Sequence, residues 1–90
     1  MRIDKYFKIS RIIKRRAEAK KACDTHSVLI NGRIAKPGDN VKTQDIISIY
    51  FRDKILEIVV LEVPVGNVPV SRSSQLYRIT KEEKRYFDEE

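Results

Sequence analysis

Hydrophobic positions change their period once along this chain, at Val28. Before it, Ile3, Tyr6 and Phe7 follow the i, i+3, i+4 spacing of one helix face, and Ile9, Ile12 and Ile13 repeat that spacing in a new phase. A phase change near Ser10 predicts two short helices meeting at an angle rather than one long rod. The second runs through RRAEAKKAC with Ala19, Ala22 and Cys23 on its packed side, where small side chains allow close approach. Asp24, Thr25 and Ser27 are poor helix formers and mark its end.

From Val28 onward the period is 2. VLINGRIAK reads as two short strands joined by Asn31-Gly32, a pair suited to a type I′ turn because both turn positions need positive φ. KPGDN makes a second turn. IISIYF places Ile47, Ile49 and Phe51 on one face, and Arg52-Asp53-Lys54 is a tight return. ILEIVVLEV, the longest β-branched run, is expected to be the central strand. PVGNVPVSRSS holds two of the three prolines and is expected to loop away from the sheet, with QLYRI returning as a last strand. Thr80 and Glu83 have the spacing of a capping box, which predicts a short helix fraying into an acidic tail. The expected fold class is α+β: an N-terminal helix pair packed on a small, mostly antiparallel β-sheet. One domain is expected over residues 1–80, with a helical head at 1–25 and a sheet at 28–79, followed by an acidic C-terminal tail at 81–90.

Composition limits what such a domain can do. Ninety residues leave no room for a catalytic body beside a recognition module. Cys23, the single cysteine, excludes an internal disulfide and any cysteine-rich zinc site, and reads as a small buried apolar residue. His26 is the one histidine and has no partner set for metal or catalysis. No apolar run approaches the ~20 residues that span a bilayer. The basic, acid-poor start shares its composition with a mitochondrial presequence, but it carries the strongest helical pattern and is read as part of the fold.

Charge separates the two halves of the pattern. Nine of the first 21 residues are Lys or Arg against Asp4 and Glu18 alone, so the formal charge of +6 sits in the helical head. A merely solvated helix face would intersperse acids for i, i+4 pairing, and these are scarce. A membrane-surface helix would need a broad apolar face, and the isoleucines are required against the sheet. Nucleic acid accounts best for the concentration, since arginine forks grip phosphate oxygens and lysines add mobile charge. Structured RNA is favoured over duplex DNA because two angled helices beside a hairpin make a compact knob suited to shaped grooves and loops.

The residues then become recognisable. Arg2-Ile3-Asp4-Lys5, Ser10-Arg11, Lys14-Arg15-Arg16 with Ala19-Lys20, and Val28-x-Ile30-Asn31-Gly32 with Lys36 resemble, in order and spacing, the RNA-binding domain of the ribosomal-protein S-four type. The match spans residues 2–51. Among stand-alone members it is similar to the heat-shock protein 15 type and, through LYRITKEEK and the lack of a long basic extension, more so to the ribosome quality control factor P type. That resemblance implies a cytoplasmic, monomeric, non-enzymatic factor without cofactor, metal or membrane attachment. It would bind large-subunit ribosomal RNA and peptidyl-tRNA on obstructed large subunits, beside a NEMF-type tailing factor, and support C-terminal alanine tailing of stalled chains. The alternatives are a heat-shock-type factor that binds or recycles blocked subunits without tailing, and a general basic interaction module.

Carried over position by position, the resemblance implies RNA contacts at Arg2, Lys5, Arg11, Lys14, Arg15, Arg16, Lys20 and Lys36. Asp4 is read as ordering an arginine, and Asn31 and Gly32 as the structural turn. Two positions depart from the family pattern. His26 and Ser27 stand where a glycine and often a basic residue occur, and Thr43-Gln44-Asp45 stands where many members have a Gly-Asp turn.

Overall fold

The computed structural model of the protein describes residues 1–86. Two helices, α1 (Ile3–Ser10) and α2 (Arg16–Asp24), precede strands β1 (Val28–Ile30), β2 (Arg33–Ile34), β3 (Ile46–Tyr50) and β4 (Lys54–Val60). A one-turn helix, α3 (Val70–Ser73), runs into a 3₁₀ turn at Ser74–Leu76 and then into β5 (Tyr77–Lys84). All neighbouring strands are antiparallel, in the order β2-β1-β3-β4-β5. The expected class, helix pair on antiparallel sheet, is the class observed.

The helix pair forms because each helix has one apolar face and one shared floor. Ile3, Tyr6 and Phe7 of α1 are fully buried, Ala19 and Cys23 of α2 lie on the same side, and the floor is Val28, Ile47, Ile49, Ile58 and Val60. The break expected near Ser10 lies at Arg11, whose φ of 62° ends α1. Ile12 and Ile13 belong to the connection rather than to a helix, and Ile13 is buried there as a plug, its N–H donating to Phe7 O at 3.3 Å.

Helix α2 ends in a Schellman motif. Ser27 N–H bonds Ala22 O, His26 N–H bonds Cys23 O, and His26 takes φ 62°, the left-handed conformation that glycine adopts without cost. The second departure has the same cause: Gln44 sits at φ 78°. Its turn survives because Asp45 accepts Lys42 N–H on Oδ2 at 2.8 Å and Gln44 N–H reaches Val60 O at 2.8 Å. Both residues therefore carry a left-handed strain of about 1 kcal/mol. Gln44→Gly should stabilise the fold by up to about 1 kcal/mol, seen as a higher urea midpoint at unchanged slope. An unchanged midpoint would show that the turn is not strained.

Three expectations are corrected in the C-terminal half. The β-branched run of β4 is interior, but the middle position of the sheet belongs to β3. Residues 70–74 of the expected loop, with Gln75 and Leu76 of the expected last strand, form α3 and the 3₁₀ turn, anchored by fully buried Leu76. The helix expected from Thr80 is strand: β5 continues to Lys84, and Thr80 Oγ1 donates to Glu57 Oε2 at 2.9 Å instead of capping. An isolated turn of helix is marginal in water, whereas β4 offers a full ladder of partners along its free side. The register slips once between Glu57 and Ile58 to accommodate this. The sheet thus extends beyond the expected boundary at residue 79, and residues 87–90 of the expected acidic tail lie outside the described residues.

Two weak acids are enclosed by this core. Tyr6 donates to Leu76 O at 2.8 Å, and its phenol is held above its ordinary range by burial first, then by Tyr77 and Glu62. Burial, with the negative charges of Asp4, Asp24 and Asp39, pushes the Cys23 thiol up from 9.0 to about 11. Each group is more acidic in the unfolded chain. Their stabilising effect is therefore complete below pH 9 and lost as pH rises through the folded values. Stability should fall between pH 9 and about 11, and Cys23→Ala should flatten that fall. Denaturation midpoints across that range provide the check; an identical alkaline slope in the variant would exclude the thiol as a cause.

Candidate nucleic-acid interface

The start of α1 is stitched to the loop after β2. Ile3 N–H donates to Asp39 O at 2.7 Å, Asp4 N–H to Pro37 O at 3.4 Å and Val41 N–H to Met1 O at 2.9 Å. The first two bonds satisfy helix-start donors that would otherwise need water or a capping side chain, and Arg2 supplies no side-chain cap. Together the three fix Arg2 opposite Asn40 in an isolated β-bridge and lay its guanidinium against the Pro37-Gly38 turn, where Gly38 presents no side chain.

Asp4 lies beneath, 2 % exposed, in the first turn of α1. Its Oδ2 accepts from Arg2 Nη2 at 3.1 Å, and Arg16 Nε at the start of α2 lies 3.5 Å from Oδ1. Oδ1 is within ion-pair distance of Arg16 yet accepts no hydrogen bond, so the second pair is electrostatic attraction without an aligned donor. The side chains of Arg2 and Arg16 remain 51 % and 45 % exposed. One buried carboxylate thus tethers the inner edges of two guanidinium groups and leaves their outer donors to solvent. A planar fork offers five N–H donors, and this arrangement presents two such forks side by side, a geometry suited to adjacent phosphates.

The other expected contacts are spread around this pair. Lys5, Arg11, Lys14, Arg15, Lys20 and Lys36 are all exposed. Among the described residues their side chains enter no ion pair or side-chain hydrogen bond. Lys36 lies in the loop against which α1 starts, close to the Arg2 end. Arg11 stands at the far end of α1, about 13 Å along the axis from Arg2, where it borders a shallow concavity with Val68 and Val70. The structure therefore joins Arg2 and Arg16 through Asp4 and leaves Arg11 apart; a single phosphate cannot engage them all.

Asn31 and Gly32 take φ 51° and 84°, the left-handed pair that the hairpin requires. The Asn31 side chain does more than turn the chain: Nδ2 donates to Asp45 Oδ1 at 3.0 Å, and Oδ1 accepts Ile46 N–H at 2.9 Å. Beside this clamp opens a concavity of about 620 Å³, lined in part by Arg33, Lys36, Asn40 and Lys42. Of these four, the sequence singles out Lys36 alone. Arg33 and Lys42 flank two different turns, so only their spacing around the Asn-Gly hairpin hints that they converge. Among the described residues no group of three or more His, Cys, Asp or Glu is placed to hold a metal ion, and no helix is long and apolar enough to cross a membrane.

The S4 domain family model matches residues 1–47. A Listeria monocytogenes protein named RQC P-site tRNA stabilizing factor is 40% identical over 84 residues, covering 93% of this chain and 90% of its own. A Bacillus subtilis protein of the same name is 38% identical over 84 residues, covering 93% and 96%. The trimeric structure of Vibrio cholerae heat shock protein 15 superposes with a TM-score of 0.79 at 27% identity, over 89% of this chain and 81% of that one.

Proposed function

The chain belongs to the S4 domain family, and from that premise we propose that it is a non-enzymatic RNA-binding factor of ribosome-associated quality control. It holds peptidyl-tRNA on an obstructed large subunit, in contact with large-subunit ribosomal RNA, while a NEMF-type partner directs alanine tailing of the stalled chain. The observation that carries this reading is the paired presentation of Arg2 and Arg16 by buried Asp4, at the centre of a basic head that has few acids of its own. Relatives that match over nearly the whole chain and are named for P-site tRNA stabilisation support the tRNA as ligand. The cytoplasm is the compartment that this reading requires, and a monomer is the form that we assign to the bound factor. Lys5, Arg11, Lys14, Arg15, Lys20 and Lys36 extend the phosphate contacts on either side of the arginine pair.

The likeness to heat shock protein 15 favours a second reading, binding or recycling of blocked subunits without tailing. Purification of the tagged protein should bring down large-subunit particles that carry peptidyl-tRNA. Deletion should abolish alanine-tailed nascent chains, and re-expression should restore them. Tailing that continues unchanged after deletion selects the second reading, and a protein that brings down no ribosomal particle defeats both.

A further inference from the structure

We propose that the concavity between the β1–β2 hairpin and residues 36–42 is a second RNA subsite that takes one unpaired nucleotide; this rests on the RNA-binding reading above. The site is continuous with the arginine pair, since Asn40 lines it and is bridged to Arg2. Its volume of about 620 Å³ lies within the ~300–1,000 Å³ of small-ligand sites.

The lining fits a nucleotide better than a continuous phosphate backbone. Among the described residues, the side chains of Arg33, Lys36 and Lys42 have no ion-pair or hydrogen-bond partner, so three cations border the concavity uncommitted. The two acids there are engaged: Asp45 accepts from Asn31 and from Lys42 N–H, and Asp39 Oδ2 accepts Lys36 N–H at 2.9 Å. Asp39 keeps its second oxygen, which repels a phosphate but accepts from the exocyclic amino group of a base. A base splayed into the concavity would stack on the Arg33 guanidinium, with the phosphates on either side of it meeting Lys36 and Lys42.

Two RNA hairpins of equal charge provide the test, one fully paired with a blunt end and one with an unpaired nucleotide bulged from the stem. The wild-type protein should bind the bulged hairpin about tenfold more tightly, the effect of one stacked base. Arg33→Ala/Lys42→Ala should remove that preference and leave blunt-hairpin affinity within about threefold, while Arg16→Ala should weaken both RNAs and keep the preference. Both Arg33 and Lys42 are exposed, and circular dichroism would verify that their variant is folded. Equal loss for the two RNAs in the groove variant, or no preference in the wild type, overturns the subsite while leaving RNA binding intact. Failure of the wild type to bind either RNA instead refutes the RNA-binding reading itself.

Discussion

The double variant Arg2→Ala/Arg16→Ala should lose RNA binding and about 3–5 kcal/mol of stability together, because it leaves a buried carboxylate with no counter-charge. That is a large share of the roughly 5–15 kcal/mol that holds a small domain folded. The asymmetry of the site separates the two losses. Both arginines are about half exposed, so water can solvate them if Asp4 is neutralised, whereas Asp4 lies beneath them at 2 % exposure and keeps no counter-charge once both are truncated. Adding Asp4→Asn to the double variant should therefore restore most of the stability and none of the binding. Asp4→Asn alone should weaken RNA binding by roughly tenfold through lost orientation, although it makes the protein more positive. A simple count of charge predicts the opposite sign. Tighter binding by Asp4→Asn would mean that the arginines act as unoriented charge, and recovery of binding in the triple variant would mean that RNA binding does not need them; urea titration and RNA titration on the same preparations decide it.

The parts of this fold that could be read from residues are those where a pattern repeats. Three apolar positions at helical spacing establish α1, and the alternation from Val28 with an Asn-Gly turn establishes the hairpin and β3. Helix α3 is a single turn and shows no period at all. Thr80 and Glu83 carried a local signal for helix, but a strand partner 23 residues earlier in the chain outweighed it, and nothing local reveals such a partner. The same limit applies to the interface. A basic head with Asp4 in its midst was legible, as was the idea that Asp4 orders an arginine. That it tethers two arginines from different helices depends on the angle at Arg11 and Ile13, which no spacing rule specifies. Arg33 and Lys42 stand on opposite sides of the 36–41 loop, and they border one concavity because that loop is bonded back to α1 and the hairpin to Asp45.

That cross-link makes Asn31 the second position of large effect. Asn31→Ala should destabilise the protein by about 2–3 kcal/mol: it imposes left-handed strain at φ 51°, leaves Ile46 N–H to water and removes the donor to Asp45. Asn31→Gly keeps the turn conformation and loses only the side-chain bonds, so it should cost about 1 kcal/mol less than Asn31→Ala. Asn31→Asp retains the acceptor for Ile46 N–H but sets a second carboxylate against Asp45, so its cost should shrink as salt rises. The three variants thus separate backbone strain, lost hydrogen bonds and charge repulsion at one position. If Asn31→Gly proves as stable as the wild type, the clamp contributes nothing, and the Asn-Gly pair is a turn and no more. If it loses stability, the residue that turns the hairpin also ties it to the β3 start, beside the concavity that Arg33 and Lys42 border.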